Sequence, residues 1–459
     1  MSLCKPIKWL YHEFGIASVR TTGRDAWLII LARTGRMFAY GGTSLIIALF
    51  FASLQFSDFQ IGLFMTLTLA GDVVLSLLLT LAADRIGRRR VLFAGAFLMA
   101  LSGAVFAVFE DFWILLLAAI LGVISATGSD FGPFRSIEES TLSHLTMLET
   151  RADVLSWYVT TSSLGSAAGT EFAGRAVDYL QTHRHWPTTD AYHAVFWLYI
   201  LTGAMCMICT LSMSDRCELA LPPPEIGEHQ RLLGETQPEG NSNNNTLQQQ
   251  KKKNSPFSQI SSQTRTIMYQ LWFLLILDSL ADGMVPNSLT NYYLDQKFHL
   301  PKSTLGDIMS TGYFLSSIST VFAGPLARRL GLINTMVFTH LPSSTAVLLF
   351  PIPQGVALSV VLFFIRIGLN SMDQAPRSAF IAAVVRPEER TAVMGITGML
   401  RTLTSMIGPS VTGLLAGGGR FWVAFVVAGA LRIGYDFGLF GLFVNMRLHA
   451  HEQKEEGEE

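Results

Sequence analysis

Eleven ionisable side chains stand within stretches that are otherwise apolar: Arg33, Arg36, Asp72, Asp130, Asp278, Asp282, Arg366, Asp373, Arg401, Arg432 and Asp436. A charge in hydrocarbon costs about 2.5 to 3.5 kcal/mol on insertion scales, so such groups face a partner or a water-filled cavity. The chemistry within their reach is ion pairing, recognition of a polar solute, and the uptake and release of protons. Covalent chemistry is not indicated, because no nucleophile, base and orienting group fall at usable spacing. No metal-ligand set or cofactor-binding pattern occurs either: His183, His185 and His193 are irregularly spaced, and the four cysteines read as unpaired thiols. Neither an enzyme nor a bound cofactor is expected.

Helical spacing sorts the charges onto faces. Arg33, Arg36, Tyr40 and Thr43 fall on one stripe, and Arg366, Asn370, Asp373 and Arg377 on another. Asp278 and Asp282 are four residues apart and share a face. Two such carboxylates do not both ionise readily in a low dielectric, so one is expected to hold a proton; with Asp72 they form the candidate proton-coupling set. The candidate solute-facing set is Arg33, Arg36, Tyr40, Asp72, Asp130, Arg366, Asn370, Asp373 and Arg401. Expected ion pairs are Arg36 with Asp72, Arg33 with Asp130, and Arg366 with Asp278 or Asp282. Trp157, Tyr158, Tyr292 and Tyr293 read as interfacial aromatics.

The elements that position these residues follow from composition. The chain has 459 residues, 50% hydrophobic and 15% charged, with a mean hydropathy of +0.39; soluble domains carry about 25% charged residues. A membrane helix needs roughly 20 mostly apolar residues. Twelve such windows occur, at 26–52, 61–82, 91–109, 112–134, 153–176 and 192–213, then 267–294, 304–326, 333–352, 355–379, 391–416 and 421–446. The protein is thus expected to be integral to a membrane, multi-pass, in the plasma membrane or that of an internal organelle.

Net charge is −1, so total charge says nothing about a nucleic-acid or acidic partner, and no nucleic-acid partner is expected. Its distribution is more informative. Lys5, Lys8, Arg20 and Arg24 precede the first span, four arginines follow the second, and Lys251, Lys252, Lys253 and Arg265 precede the seventh. The positive-inside rule makes those segments, and both termini, cytoplasmic.

Residues 214–264 hold "LPPPE", "NSNNNT", "QQQ" and "KKK", a composition that cannot bury a core. They divide the chain into a tail (1–25), a six-helix unit (26–213), a flexible cytoplasmic linker (214–264), a second unit (265–447) and a short tail (448–459). The units echo one another: "LAADRIGRRRVLF" corresponds to "PLARRLGLINTMV", and "SDFGPFRS" to "MDQAPRSA". Internal repeats of this kind characterise secondary transporters, whose site lies between the repeats near the midplane.

These features resemble the major facilitator superfamily. Its signature after the second helix is matched by Asp84, Arg85, Gly87, Arg88 and Arg89, with Thr80 in place of the first glycine. The second copy keeps Gly324, Arg329 and Gly331 but has Arg328 where the acid belongs. "MIGPSVTGLLAG", with Gly408, Pro409 and Gly413, is similar to the Gly-Pro motif of proton-driven antiporters, though it sits in the eleventh span and not the fifth. The resemblance implies an all-α polytopic membrane protein with twelve transmembrane helices in two pseudo-symmetric six-helix bundles. It implies alternating access, a cavity lined by helices 1, 4, 7 and 10, and a cytoplasmic gate in which Asp84 meets the start of helix 11. The expected function is transport of a small solute, coupled to protons, by a monomer in the lipid bilayer, with export of an organic compound favoured over uptake of a metabolite or organic anion. A receptor or scaffold of transporter-like build is the competing class.

Overall fold

In the computed structural model, residues 16–122, 124, 133–218, 262–385 and 390–444 are described, and every regular element among them is a helix. The first half comprises α1 (Ile16–Thr22), α2 (Arg24–Ser53), α3 (Asp58–Ile86), α4 (Arg88–Val108), α5 (Phe112–Gly122), α6 (Pro133–Leu145), α7 (Leu148–Thr182) and α8 (Thr188–Leu211). The second comprises α9 (Ser262–Met284), α10 (Asn287–Phe298), α11 (Lys302–Leu330), α12 (Leu332–Leu349), α13 (Val356–Asn370), α14 (Gln374–Val384), α15 (Arg390–Ser405), α16 (Ile407–Gly417) and α17 (Phe421–Phe443). Eight helical stretches are long and apolar enough to cross a membrane by length and composition. Their outward faces carry exposed Leu201, Ile208 and Phe437, the arrangement a lipid solvent favours.

Three expected spans are broken. The seventh stops at Met284 and restarts at Asn287 around Pro286, which has no N–H to donate and blocks the preceding turn. The eleventh breaks at Met406, where Pro409 excludes a regular turn onto the Ser405 carbonyl. The tenth passes through a 3₁₀ turn at Ser371–Asp373. A fourth difference concerns residues 135–145, which lie between the expected spans 112–134 and 153–176 and read as a cytoplasmic connection. They belong to α6, because Phe134, Ile137, Glu138, Thr141 and Leu142 make one buried stripe at helical spacing.

Packing repeats between the halves. α2 lies along α7 as α9 lies along α15 and α16; α4 packs on α8 as α12 packs on α17. The single residue between α3 and α4 is Gly87 (φ 106°), and that between α11 and α12 is Gly331 (φ 86°). Only glycine adopts such angles freely, so both copies of the loop motif share one backbone device. The halves themselves meet through α3 on α16 and α7 on α11. A Cβ on Gly413 would stand 2.6 Å from the Asp58 carbonyl, and one on Gly174 would stand 2.5 Å from that of Lys302. Around these contacts Tyr292 Oη donates to Asp58 Oδ1 (2.7 Å), Ser410 Oγ to Thr66 Oγ1 (2.8 Å), and Arg175 pairs with Asp307 (3.1 Å).

At the other end of the first half, Glu218 accepts from the backbone N–H groups of Arg88 (2.7 Å) and Arg89 (3.1 Å), a carboxylate on the free donors of a helix start. Arg89 also pairs with Asp215, and Arg88 donates to Ser140 Oγ (2.8 Å). The side chains of Asp84 and Arg85, Glu388 and Glu389, most of the linker and both chain ends lie outside the described residues. Cys217, on the 3₁₀ turn Asp215–Cys217, is buried, and that burial pushes its thiol up to about 12. Because the thiolate is the reactive form, maleimide at neutral pH should leave Cys217 unmodified in the folded protein and label it after denaturation, as read by peptide mass spectrometry.

Candidate functional site

The first-half stripe is brought inside the bundle by α2, α6 and α7. Arg36 Nη2 donates to Glu138 Oε2 (2.7 Å), and Tyr158 Oη donates to the same oxygen (2.8 Å). Arg33 Nη1 donates to Tyr158 Oη (2.8 Å), and its guanidinium lies 4.2 Å from that ring's centroid. The Arg36 guanidinium stands 4.3 Å from the Phe134 ring centroid. Arg33, Arg36, Tyr40 and Asp72 are all buried.

The carboxylate that Arg36 meets is therefore Glu138, not Asp72, because α6 carries an acid that a connecting segment would have left in water. Tyr158 is a buried bridging hydroxyl and not an interfacial aromatic. Tyr292 and Tyr293 are likewise buried, and Tyr292 joins the two halves. Asp130 lies outside the described residues.

In the second half the charges form one connected array. Arg377 pairs with Asp278 (3.2 Å) and, one turn back, with Asp373. Arg432, fully buried, pairs with Asp282 (2.7 Å), donates to Asn370 Oδ1, and points Nη2 at His340 Nε2 (2.8 Å). His340 Nδ1 is 2.7 Å from Asp436 Oδ1, and Ser344 Oγ donates to Asp436 Oδ2 (2.8 Å).

Arg366 pairs with neither Asp278 nor Asp282. It donates to Thr290 Oγ1 (2.7 Å) and to the Val285 carbonyl, which the Pro286 break leaves outside both helices. Asp278 and Asp282 lie one turn apart on α9, and each pairs with its own guanidinium, Arg377 and Arg432. Arg401 donates from Nε to Ser279 Oγ (3.3 Å), and no carboxylate among the described residues lies within ion-pair distance of it. Arg401, Asn370 and Asp282 stay partly exposed, whereas Arg366, Asp373 and Arg377 are buried.

Spacing missed two members of these networks. Glu138 sat in a segment whose Arg135, Glu138, Glu139 and His144 made it look solvated, although the stripe through Phe134, Ile137, Thr141 and Leu142 was present. His340 stood alone in the ninth window, and its signal was that of the arginines: a titratable group at membrane depth. Gly408 and Gly413 do serve packing. Gly408 abuts the Gly283 backbone of α9, and Gly413 abuts Asp58 and Gly62 of α3. Among the described residues no group of three or more His, Cys, Asp or Glu could hold a metal ion.

A repeated six-span unit, broken helices and charged residues held between them are features of a carrier, and known proteins agree. The profile of the Major Facilitator Superfamily matches residues 29–264 and 271–459. An uncharacterized membrane protein of Saccharomyces cerevisiae is 31% identical over 432 residues, covering 93% of this chain and 96% of that one. The fold is shared with the nucleoside transporter NupG (TM-score 0.65, 15% identity, 92% of this chain and 100% of that one). It is also shared with the inward-open xylose transporter XylE from E. coli (TM-score 0.65, 12% identity, 92% and 96%). With its fold, its repeat and its family profile in agreement, this chain belongs to the major facilitator superfamily and is an integral, multi-pass membrane transporter of a small solute.

Proposed function

We propose that the chain carries a small organic anion together with a proton, by alternating access between its two halves. The observation that carries this reading is Arg401. Its guanidinium is partly exposed, is held only by Ser279, and has no carboxylate partner among the described residues. It lies eleven residues into α15, about 16 Å from that helix's start at 1.5 Å per residue, near mid-depth. A planar guanidinium with free donors matches a carboxylate or phosphate bidentately. Arg366, whose hydrogen bonds among the described residues go to the neutral oxygens of Thr290 and Val285, adds a second cation to the same half.

The basic segments make the α3/α4 end cytoplasmic, so contact between the halves seals the outer end and Arg401 is reached from inside. Anion and proton binding together would give the solute a direction set by the proton gradient. This takes the organic-anion reading in preference to export, because the Gly408–Pro409 stretch that suggested export is engaged in helix packing here.

Counterflow of labelled carboxylates, phosphates and neutral sugars in proteoliposomes tests the reading. Arg401→Gln should lower kcat/KM for the anion about 10- to 100-fold, the worth of a hydrogen bond to a charged group, with partial rescue by Arg401→Lys. Unchanged anion transport in Arg401→Gln, or transport of neutral solutes alone, would overturn the anion assignment. Absence of counterflow for every solute by folded protein would favour a sensor.

A further inference from the structure

We propose that His340 is the proton-binding group of this carrier, and that protonation moves its Nε2 from Arg432 to Asp278. This deepens the transport reading above and rests on it for its link to solute movement. The geometry around the ring makes two incompatible demands. Nδ1 lies 2.7 Å from Asp436 Oδ1, an ionised carboxylate that only accepts, so Nδ1 carries the hydrogen. Nε2 lies 2.8 Å from Arg432 Nη2, which only donates, so Nε2 must offer its lone pair and the ring is neutral. Yet Nε2 is also 3.5 Å from Asp278 Oδ1, which only accepts. That oxygen is buried and has no hydrogen-bond partner among the described residues.

One nitrogen cannot serve both neighbours at once. A proton from water taken onto the Nε2 lone pair would set two donors against each other on the Arg432 side, and would supply the donor that Asp278 Oδ1 lacks. The N–H bond forms as one O–H bond of a hydronium ion breaks, neutral water leaves, and the ring gains one positive charge. Every ionisable group facing the ring then responds in a stated direction. From α9, Asp278 is drawn to His340 and loosened from Arg377; from α17, Arg432 is released from the ring and left to Asp282 and Asn370, while Asp436 keeps Nδ1. Tyr435, also on α17, meets the ring edge-on at 5.4 Å. Arg377, with Asp373, takes up the slack at the tenth span.

The buried switch thus reaches the partly exposed side chains of Asp282 and Asn370 through Arg432 alone. Ionised, the array of Arg366, Arg377, Arg401 and Arg432 against Asp278, Asp282, Asp373 and Asp436 is balanced while His340 is neutral, and a proton makes it positive by one. That is the charge an anion at Arg401 would offset, which is how proton and solute would favour one another.

The test uses the full-length chain labelled with ¹⁵N-histidine in detergent or nanodiscs, with proton as the only added ligand. The expected result is one ring that shows the neutral Nδ1–H tautomer at high pH and the imidazolium at low pH, within about pH 5 to 8 where histidine titrates, and that is missing in His340→Gln. Asp436→Ala removes the acceptor at Nδ1 and must alter the same resonance, so the assignment does not depend on one variant folding. A His340 ring that does not titrate in this range, or that holds the Nε2–H tautomer, would overturn the proposal.

The second arm is the pH profile of anion counterflow. Wild type should change by about 5- to 150-fold across that range, the span of typical coupling energies, and His340→Gln should be flat. A wild-type profile in His340→Gln would overturn the proposal and leave the transport reading intact. A titrating ring in a chain that moves no anion would uphold the proton site and overturn the anion assignment.

Discussion

Glu138→Ala should destabilise the protein by about 3–5 kcal/mol, the cost of breaking a buried ion pair by removing one partner. Arg36 is only 2% exposed, and its Nη2 donates to Glu138 Oε2. Without the acid the guanidinium would remain in the interior, with the Phe134 ring at 4.3 Å as its main compensation. A cation–π contact recovers about 2 kcal/mol when desolvated, less than the lost pair. Tyr158 Oη would lose its acceptor as well. The double variant Arg36→Met with Glu138→Leu removes both charges and should regain most of the loss, because well-packed apolar replacements of buried pairs are often neutral. Unfolding in detergent by denaturant or heat measures both. A single variant as stable as wild type would show that water reaches Arg36.

Gly174→Val and Gly413→Val should each shift the carrier away from the state described here. A Cβ at Gly174 would stand 2.9 Å from Gly306 Cα, and one at Gly413 would stand 3.1 Å from Gly62 Cα, so backbone meets backbone between the halves and nothing flexible can yield. Overpacking of this kind costs about 1–3 kcal/mol, which is about a 5- to 150-fold change in the ratio of two conformations. Each half keeps its own core, so melting should change little while solute transport falls. Cysteines replacing Arg175 and Asp307, whose side chains pair at 3.1 Å, report the closed end. Their cross-linking yield should drop in Gly413→Val, although that residue lies in the α3–α16 contact and not in the α7–α11 contact. An unchanged yield would mean that the two contacts close independently.

These outcomes bear on how much the amino acids announce in advance. Spacing alone places Arg33 and Arg36 on one helix stripe and Arg366 and Arg377 on another, and all four are buried in the structure. The breaks in the seventh and eleventh spans went unread, although Pro286 and Pro409 carried the signal, since a missing N–H is a property of one residue. Glu138 escaped because overall polarity masked a short amphipathic period, and His340 because a single neutral-counted residue makes no pattern. Tyr158 and Tyr292 were read as interfacial since an aromatic at a helix end looks alike whether lipid headgroups or a buried carboxylate lie beside it.

Composition and periodicity by themselves determined the membrane setting, the two repeated halves and the inward direction of the charged stripes, because each depends on the local run of side chains. Tertiary structure alone decided that Arg36 meets Glu138 across 102 residues, that Asp278 and Asp282 take separate arginines, and that His340 stands between Arg432 and Asp278. Periodicity assigns a residue to a face of its own helix; which neighbouring face lies opposite is set by how whole helices pack, and that packing chose the partners.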